Sequence, residues 1–241
     1  MKILNLKIIA CNVLWREICH YAALSPNRCD LQFLPWGLHG TPALLRDEVQ
    51  NAIDAVPPDT YDAIILGYGL CSNGVDKVSA RHTQLILIKG HDCVTCLLGS
   101  REKYKEYFDA HPGTYWYSPG WNENHLAPGK QRYDETFAAY VEKYGDENAK
   151  YLMEMEQDWF NKYSTAAFVS LPIGDVKRYT EYTKECAAWL SWKYDEIAGD
   201  AALLKRMLSG DWNDDAFLVV QPGYHIEPSF DEQVIKAVKD L

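Results

Sequence analysis

Three cysteines stand just beyond three apolar runs. Lys2 to Ala10 leads into Cys11, and Ala63 to Leu66 passes through Gly67-Tyr68-Gly69-Leu70 into Cys71. Leu85 to Ile88 breaks at Lys89-Gly90 and delivers His91, Asp92, Cys93 and Cys96. Thiolates are soft donors, and three together suit zinc, an iron–sulfur cluster or another soft metal centre. His91 is then a candidate fourth ligand, or a group that orients a ligand and leaves one position open for substrate. Glu17, in the Arg16-Glu17 pair that follows Cys11, and His39, beyond the next apolar run, are candidate acid/base residues for chemistry at such a centre.

The same residues carry other readings. Cys93-Val94-Thr95-Cys96 is a C-x-x-C, and a thiolate at a helix start reacts readily, so a thiol oxidoreductase is an alternative. The stretch Tyr68-Gly69-Leu70-Cys71-Ser72-Asn73-Gly74 is either a plain turn or a cradle of backbone N–H groups for an anionic cofactor, with Tyr68, Gly69, Asn73 and Gly74 lining it. Any single cysteine of the three is more often an inert core residue. Cys19, Cys29 and Cys186 are assigned to packing. Trp116 and Trp121 either wall a pocket or pack in the core.

The elements that must position the cysteines alternate along the first half of the chain. Strands are expected at 2–10, 30–34, 61–66 and 84–88, with helices at 13–24 and from Thr41-Pro42 onward, threonine as N-cap and proline in the first turn. This alternation predicts a Rossmann-like α/β fold, a mostly parallel sheet with helices on both faces. With strand order 2-1-3-4, Cys11, Cys71 and Cys93 emerge at one sheet edge, on strands spaced about 4.8 Å apart. Farther on, strands are expected at 113–117, 166–171 and 217–220. Helices are expected at 133–161 with a break near Gly145, at 177–208 interrupted near Gly199, and at 231–241. Residues 1–241 form one α/β domain or two lobes, 1–112 and 113–241.

Bulk properties narrow the class. Apolar residues make up 47% and charged residues 24%, as in ordinary globular proteins. A net charge of −10 without a basic stretch argues against nucleic acid as a partner. No apolar run approaches the roughly 20 residues that span a bilayer, and a secretory signal is not evident, so a cytoplasmic protein is expected. Seven cysteines, an odd number, then fit metal binding, catalysis or burial better than disulfides. Aromatic content is high at 13%, which suits either core packing or stacking on a ligand.

Several ordered motifs coincide with those of a known family. They are Ile9-Ala10-Cys11 with Val13-Leu14 and Arg16-Glu17, Gly37-Leu38-His39 with Pro42 and Leu45-Arg46, and Tyr68 to Gly74. His91-Asp92-Cys93, Leu98-Gly99-Ser100-Arg101 and Gly113-Thr114-Tyr115-Trp116 continue the series. Over residues 5–123 the chain resembles an uncharacterised prokaryotic domain of unknown function, often encoded near corrinoid-dependent methylamine methyltransferases. The resemblance implies cysteines at positions 11, 71 and 93 and a histidine at 91, with an aliphatic residue where this chain has Cys96. It also implies a place in one-carbon metabolism, as an enzyme or as a non-catalytic accessory module. A small-molecule ligand, a corrinoid, a corrinoid protein or a methyltransferase would be the partner.

Overall fold

Apolar runs alternating with amphipathic segments build a mixed α/β chain. The computed structural model describes residues 2–212 and 215–240. β1 (Asn5–Cys11) leads through a single turn into α1 (Trp15–Ala23) and β2 (Arg28–Leu34). α2 (Pro42–Asp54), β3 (Ala63–Gly67), β4 (Leu85–Ile88), α3 (Val94–Leu98) and α4 (Arg101–Ala110) follow. Next come β5 (Thr114–Tyr117), α5 (Pro119–Asn124), α6 (Lys130–Tyr144), α7 (Asp146–Phe160), β6 (Thr165–Ser170), α8 (Val176–Leu190) and β7 (Lys193–Ala198). The chain closes with α9 (Ala202–Ser209), β8 (Phe217–Val220), β9 (Tyr224–Pro228) and β10 (Ile235–Lys239). It divides into two compact units, Met1–Tyr104 with Gly199–Leu241, and Lys105–Ala198.

In the first unit the sheet order is β2-β1-β3-β4-β8. Its first four strands are parallel, and β8 pairs antiparallel with β4. Every residue of β3 and β4 is buried, which is why both read as unbroken apolar runs rather than alternating ones. α2 starts at Pro42 and buries Leu45, Val49, Ala52 and Ile53 along one stripe, although the Thr41 side chain makes no capping hydrogen bond.

The second unit has its own parallel sheet, β5-β6-β7. Tyr117, Phe160, Phe168, Tyr179 and Trp192 are buried in its core, with Tyr115, Trp121 and Tyr163 packed against them. Much of the aromatic excess is therefore core packing, Trp121 included. Gly145, at φ +79°, separates α6 from α7.

Two expected helical stretches turn out otherwise. Within 177–208, α8 ends at Ser191 in the left-handed conformation, and Lys193–Ala198 pairs with β6 over six positions as β7. The Lys, Asp and Glu of that segment suit a helix, but an open sheet edge outweighs so weak a preference. In the C-terminal stretch, Ile235–Lys239 pairs antiparallel with β9 as β10, not as a helix. Its apolar spacing satisfied a helical period, yet Ile235 is buried by the hairpin pairing. Leu241, the end of that expected helix, lies outside the described residues. No helix among the described residues is long and apolar enough to cross a membrane.

Candidate metal centre

The carboxyl ends of β1, β3 and β4 lie side by side. Ala10 is in register with Gly67, and Leu66 with Leu87. Cys11 ends β1, and Tyr68 follows β3 directly. β2 pairs on one side of β1 and β3 on the other, so strand order reverses here, where open α/β sheets place ligands.

The loop after β3 is tied to the loop after β4. The Leu70 N–H donates to the Gly90 carbonyl at 2.8 Å, and the Cys71 N–H to that of His91 at 2.8 Å. The backbones approach so closely that a Cβ at position 69 would meet Gly90 O at 2.6 Å and the Asp92 nitrogen at 2.7 Å. Gly69→Ala is therefore expected to destabilise the protein by about 1–3 kcal/mol through overpacking of rigid backbone, a cost read from the denaturant midpoint. An unchanged midpoint would show that the two loops are not held this close.

Beyond Gly69 the chain does something no glycine explains. Cys71, Ser72 and Asn73 lie in succession at φ values of 47°, 55° and 66°. Left-handed backbone costs an L-residue roughly 1–2 kcal/mol, and consecutive cases are rare outside glycine. Such strain persists only where the surroundings over-determine it, as at binding sites.

The thiols occupy one buried neighbourhood. Burial is the main cause pushing the Cys11 thiol up to about 11 and those of Cys71 and Cys93 well above the usual range. Cys71 is pushed further by Asp92 and Cys11, and Cys93 by Cys11 and Cys71, so negative charge on one thiol is felt by the others. Tyr68 ties them together. It is 0% exposed, and its phenol is held far above its ordinary range, first by burial and then by Cys11, Cys71 and Cys93. Its hydroxyl is buried and makes no hydrogen bond to the protein. Such an orphan costs about 1–3 kcal/mol, so the hydroxyl is poised for a partner that the fold does not supply.

The remaining sequence candidates divide around this cluster. His91 is exposed in the loop after β4, with its ring 6.2 Å from that of Tyr104. His39 lies beside Tyr68: its ring centroid is 6.1 Å from that of Tyr68, and its Nε2 is buried without a hydrogen bond. Burial holds His39 below the usual histidine range, hence neutral, which is the form that binds metals. Glu17 is 2% exposed in the first turn of α1, and burial, Asp92 and Glu17 together push the Cys96 thiol up to about 12. Cys93 and Cys96 thus lack the lowered pKa that a thioredoxin-like pair needs. Asp92 is committed: its carboxylate accepts from the Tyr104 hydroxyl at 2.8 Å and the Val94 N–H at 2.9 Å. In the expected anion cradle, the N–H groups of Leu70, Cys71 and Gly74 already donate to protein carbonyls. Tyr68, a sequence candidate through the backbone of the turn, enters the site through its side-chain hydroxyl instead. A tyrosine placed directly after a fully buried strand was the available signal.

Among the described residues, no three His, Cys, Asp or Glu side chains stand close enough together to form a ready coordination shell. The donor chemistry nevertheless fits a soft metal: three protonated thiols, a neutral imidazole nitrogen without a partner and a phenol able to hydrogen-bond a ligand. Binding a metal through thiolates would release thiol protons.

A family model described as a protein of unknown function (DUF1638) matches residues 33–208. Neither a curated protein nor a solved structure matches the chain.

Proposed function

The chain belongs to the DUF1638 family, for which no function is given, and we propose that it is a soft-metal-binding protein whose centre is built by Cys11, Cys71 and Cys93. Zinc or an iron–sulfur cluster would be held there. The observation that carries the proposal is the Tyr68 hydroxyl, buried and without a hydrogen bond in a neighbourhood shared by all three thiols. His39 supplies a candidate fourth donor, in preference to the exposed His91. A centre with three thiolates and one exchangeable position suits Lewis-acid chemistry on a small molecule.

The proposal places the protein in the cytoplasm, where thiols stay reduced. Its metabolic setting is the one-carbon chemistry implied by the sequence resemblance, with a small-molecule substrate, a corrinoid protein or a methyltransferase as partner. Elemental analysis and an optical spectrum of protein purified without oxygen test the metal centre. One equivalent of zinc, or iron and sulfide with thiolate-to-metal absorption, is the expected result. Metal-free protein that takes up neither zinc nor a reconstituted cluster would overturn it.

A further inference from the structure

In the second unit, the outer face of α7 is composed like an inner one. A helix that covers a core keeps its apolar residues on one side, and α7 does bury Ala149, Met153 and Phe160. It also carries Tyr151, Met155 and Trp159, which are 63%, 58% and 46% exposed. At 3.6 residues per turn, Tyr151 and Met155 stand about 200° around the helix from Ala149 and Met153. Their four-residue spacing sets the three exposed side chains in a stripe about 12 Å long. Trp159 is steadied by its ring contacts with Tyr115 at 6.2 Å and Tyr163 at 5.0 Å. α6 does not cover the stripe. It meets α7 at Glu156, which accepts from the Tyr140 hydroxyl at 2.9 Å and pairs with Arg132 at 3.5 Å.

Charge indicates what would cover it. α7 holds five carboxylates against one lysine. Lys150 is taken by Asp146, and Glu156 by Arg132. No ion pair to Glu147, Glu154 or Asp158 is found among the described residues. Asp158 receives only a long hydrogen bond from Asn161, at 3.4 Å. The helical period sets these three carboxylates within about 60° of Tyr151, along one flank of the stripe. Even with Lys162 just past the helix end, that flank is net negative.

Tyr, Trp and Met are the side chains that protein interfaces concentrate at their centres, and three of them adjoining on one helix are more than scattered surface apolar residues. An apolar stripe with an acidic flank is complementary to a helix that carries apolar residues along one side and Lys or Arg beside them. We propose that the outer face of α7 is a docking surface for a cationic amphipathic helix of a second protein. Tyr151, Met155 and Trp159 pack against its apolar side, and Glu147, Glu154 and Asp158 face its cations. A second copy of this chain would bring the same acidic flank and a net charge of −10, and an anionic membrane surface would be repelled in the same way.

The test pairs the full chain with a labelled synthetic peptide of about 18 residues, with leucines spaced to form one helical stripe and lysines elsewhere. Fluorescence anisotropy is expected to give a Kd of about 100 μM or tighter, weakening as salt rises. The same peptide with glutamate in place of lysine should not bind. Tyr151→Ser and Met155→Ser should each weaken binding about fivefold or more, with unchanged circular dichroism. Glu154→Gln combined with Asp158→Asn should weaken it as well and flatten the salt dependence. Leu24→Ser, at an exposed apolar position of the first unit, should bind like the parent. The proposal is overturned if the lysine peptide does not bind, if the glutamate peptide binds equally, or if the Tyr151 and Met155 variants bind like the parent. It is also overturned if light scattering shows a dimer that Met155→Ser dissociates, or if the chain sediments with anionic lipid vesicles through this face. These outcomes concern the second unit and do not depend on the thiol centre.

Discussion

On the proposed three-thiol centre, Cys71→Ser is expected to abolish metal binding. Structural zinc sites contribute about 10–16 kcal/mol at neutral pH, so removing one of three or four donors forfeits about 3–4 kcal/mol. In a chelator competition, that is a loss of roughly a hundred- to a thousandfold in affinity. The serine hydroxyl cannot compensate, because it does not ionise near neutral pH and is a hard donor. Cys19→Ser is the control. Cys19 lies in α1 and is only half-buried, and its replacement should leave metal content intact. Equal metal retention by the two variants, both folded by circular dichroism, would exclude Cys71 as a ligand.

The second large effect needs no metal. The Cys11 thiol keeps its proton in the folded chain up to about pH 11, whereas an unfolded cysteine releases its proton near 9.0. Below the unfolded value both states are protonated and the thiol makes no difference. Above it, the native state binds more protons than the unfolded one, so stability falls as pH rises toward the folded value. A gap of about two pH units amounts to about 2.7 kcal/mol for Cys11 alone. Cys71, Cys93 and Cys96 are shifted in the same direction, chiefly by the same burial. Each of them adds to the decline. Metal-free protein should therefore show a denaturant midpoint that is flat to about pH 8.5 and falls between about pH 9 and pH 11. Cys96→Ala should make that decline shallower. A midpoint that stays level across the window would mean that the thiols are not buried as described.

Much of the first sheet was legible because a parallel strand covered on both faces must be apolar throughout. Ile64, Ile65 and Leu66, with Leu85 to Ile88, could hardly be anything else. The strand order then followed from connections that run β1 to β2 and return to β3. The cysteines' shared edge was legible for the same reason. The left-handed turn was not: Cys71-Ser72-Asn73 contains no glycine, and the turn is held by backbone hydrogen bonds within it (Gly74 N–H to the Cys71 carbonyl) and to the next loop (Leu70 and Cys71). The sequence read His91 as the candidate ligand and His39 as an acid/base candidate. Proximity to Cys93 in the chain favoured the former, while the fold leaves it exposed and buries Nε2 of the latter. β10 was hidden because Val234, Ile235 and Val238 satisfy a helical period as well as a strand, and the choice belongs to β9.

The strained turn has a kinetic consequence. Cys71 and Ser72 in a disfavoured hand cost about 2–4 kcal/mol, which backbone hydrogen bonds of Leu70, Cys71 and Gly74 hold in check. Opening of those bonds is expected to let the segment relax toward the ordinary hand and to move Cys71 relative to Cys11 and Cys93. Escape of a bound metal would then be timed by this flip rather than by the breaking of sulfur–metal bonds one by one. The metal's off-rate and the hydrogen exchange of the Cys71 amide would report the same opening event.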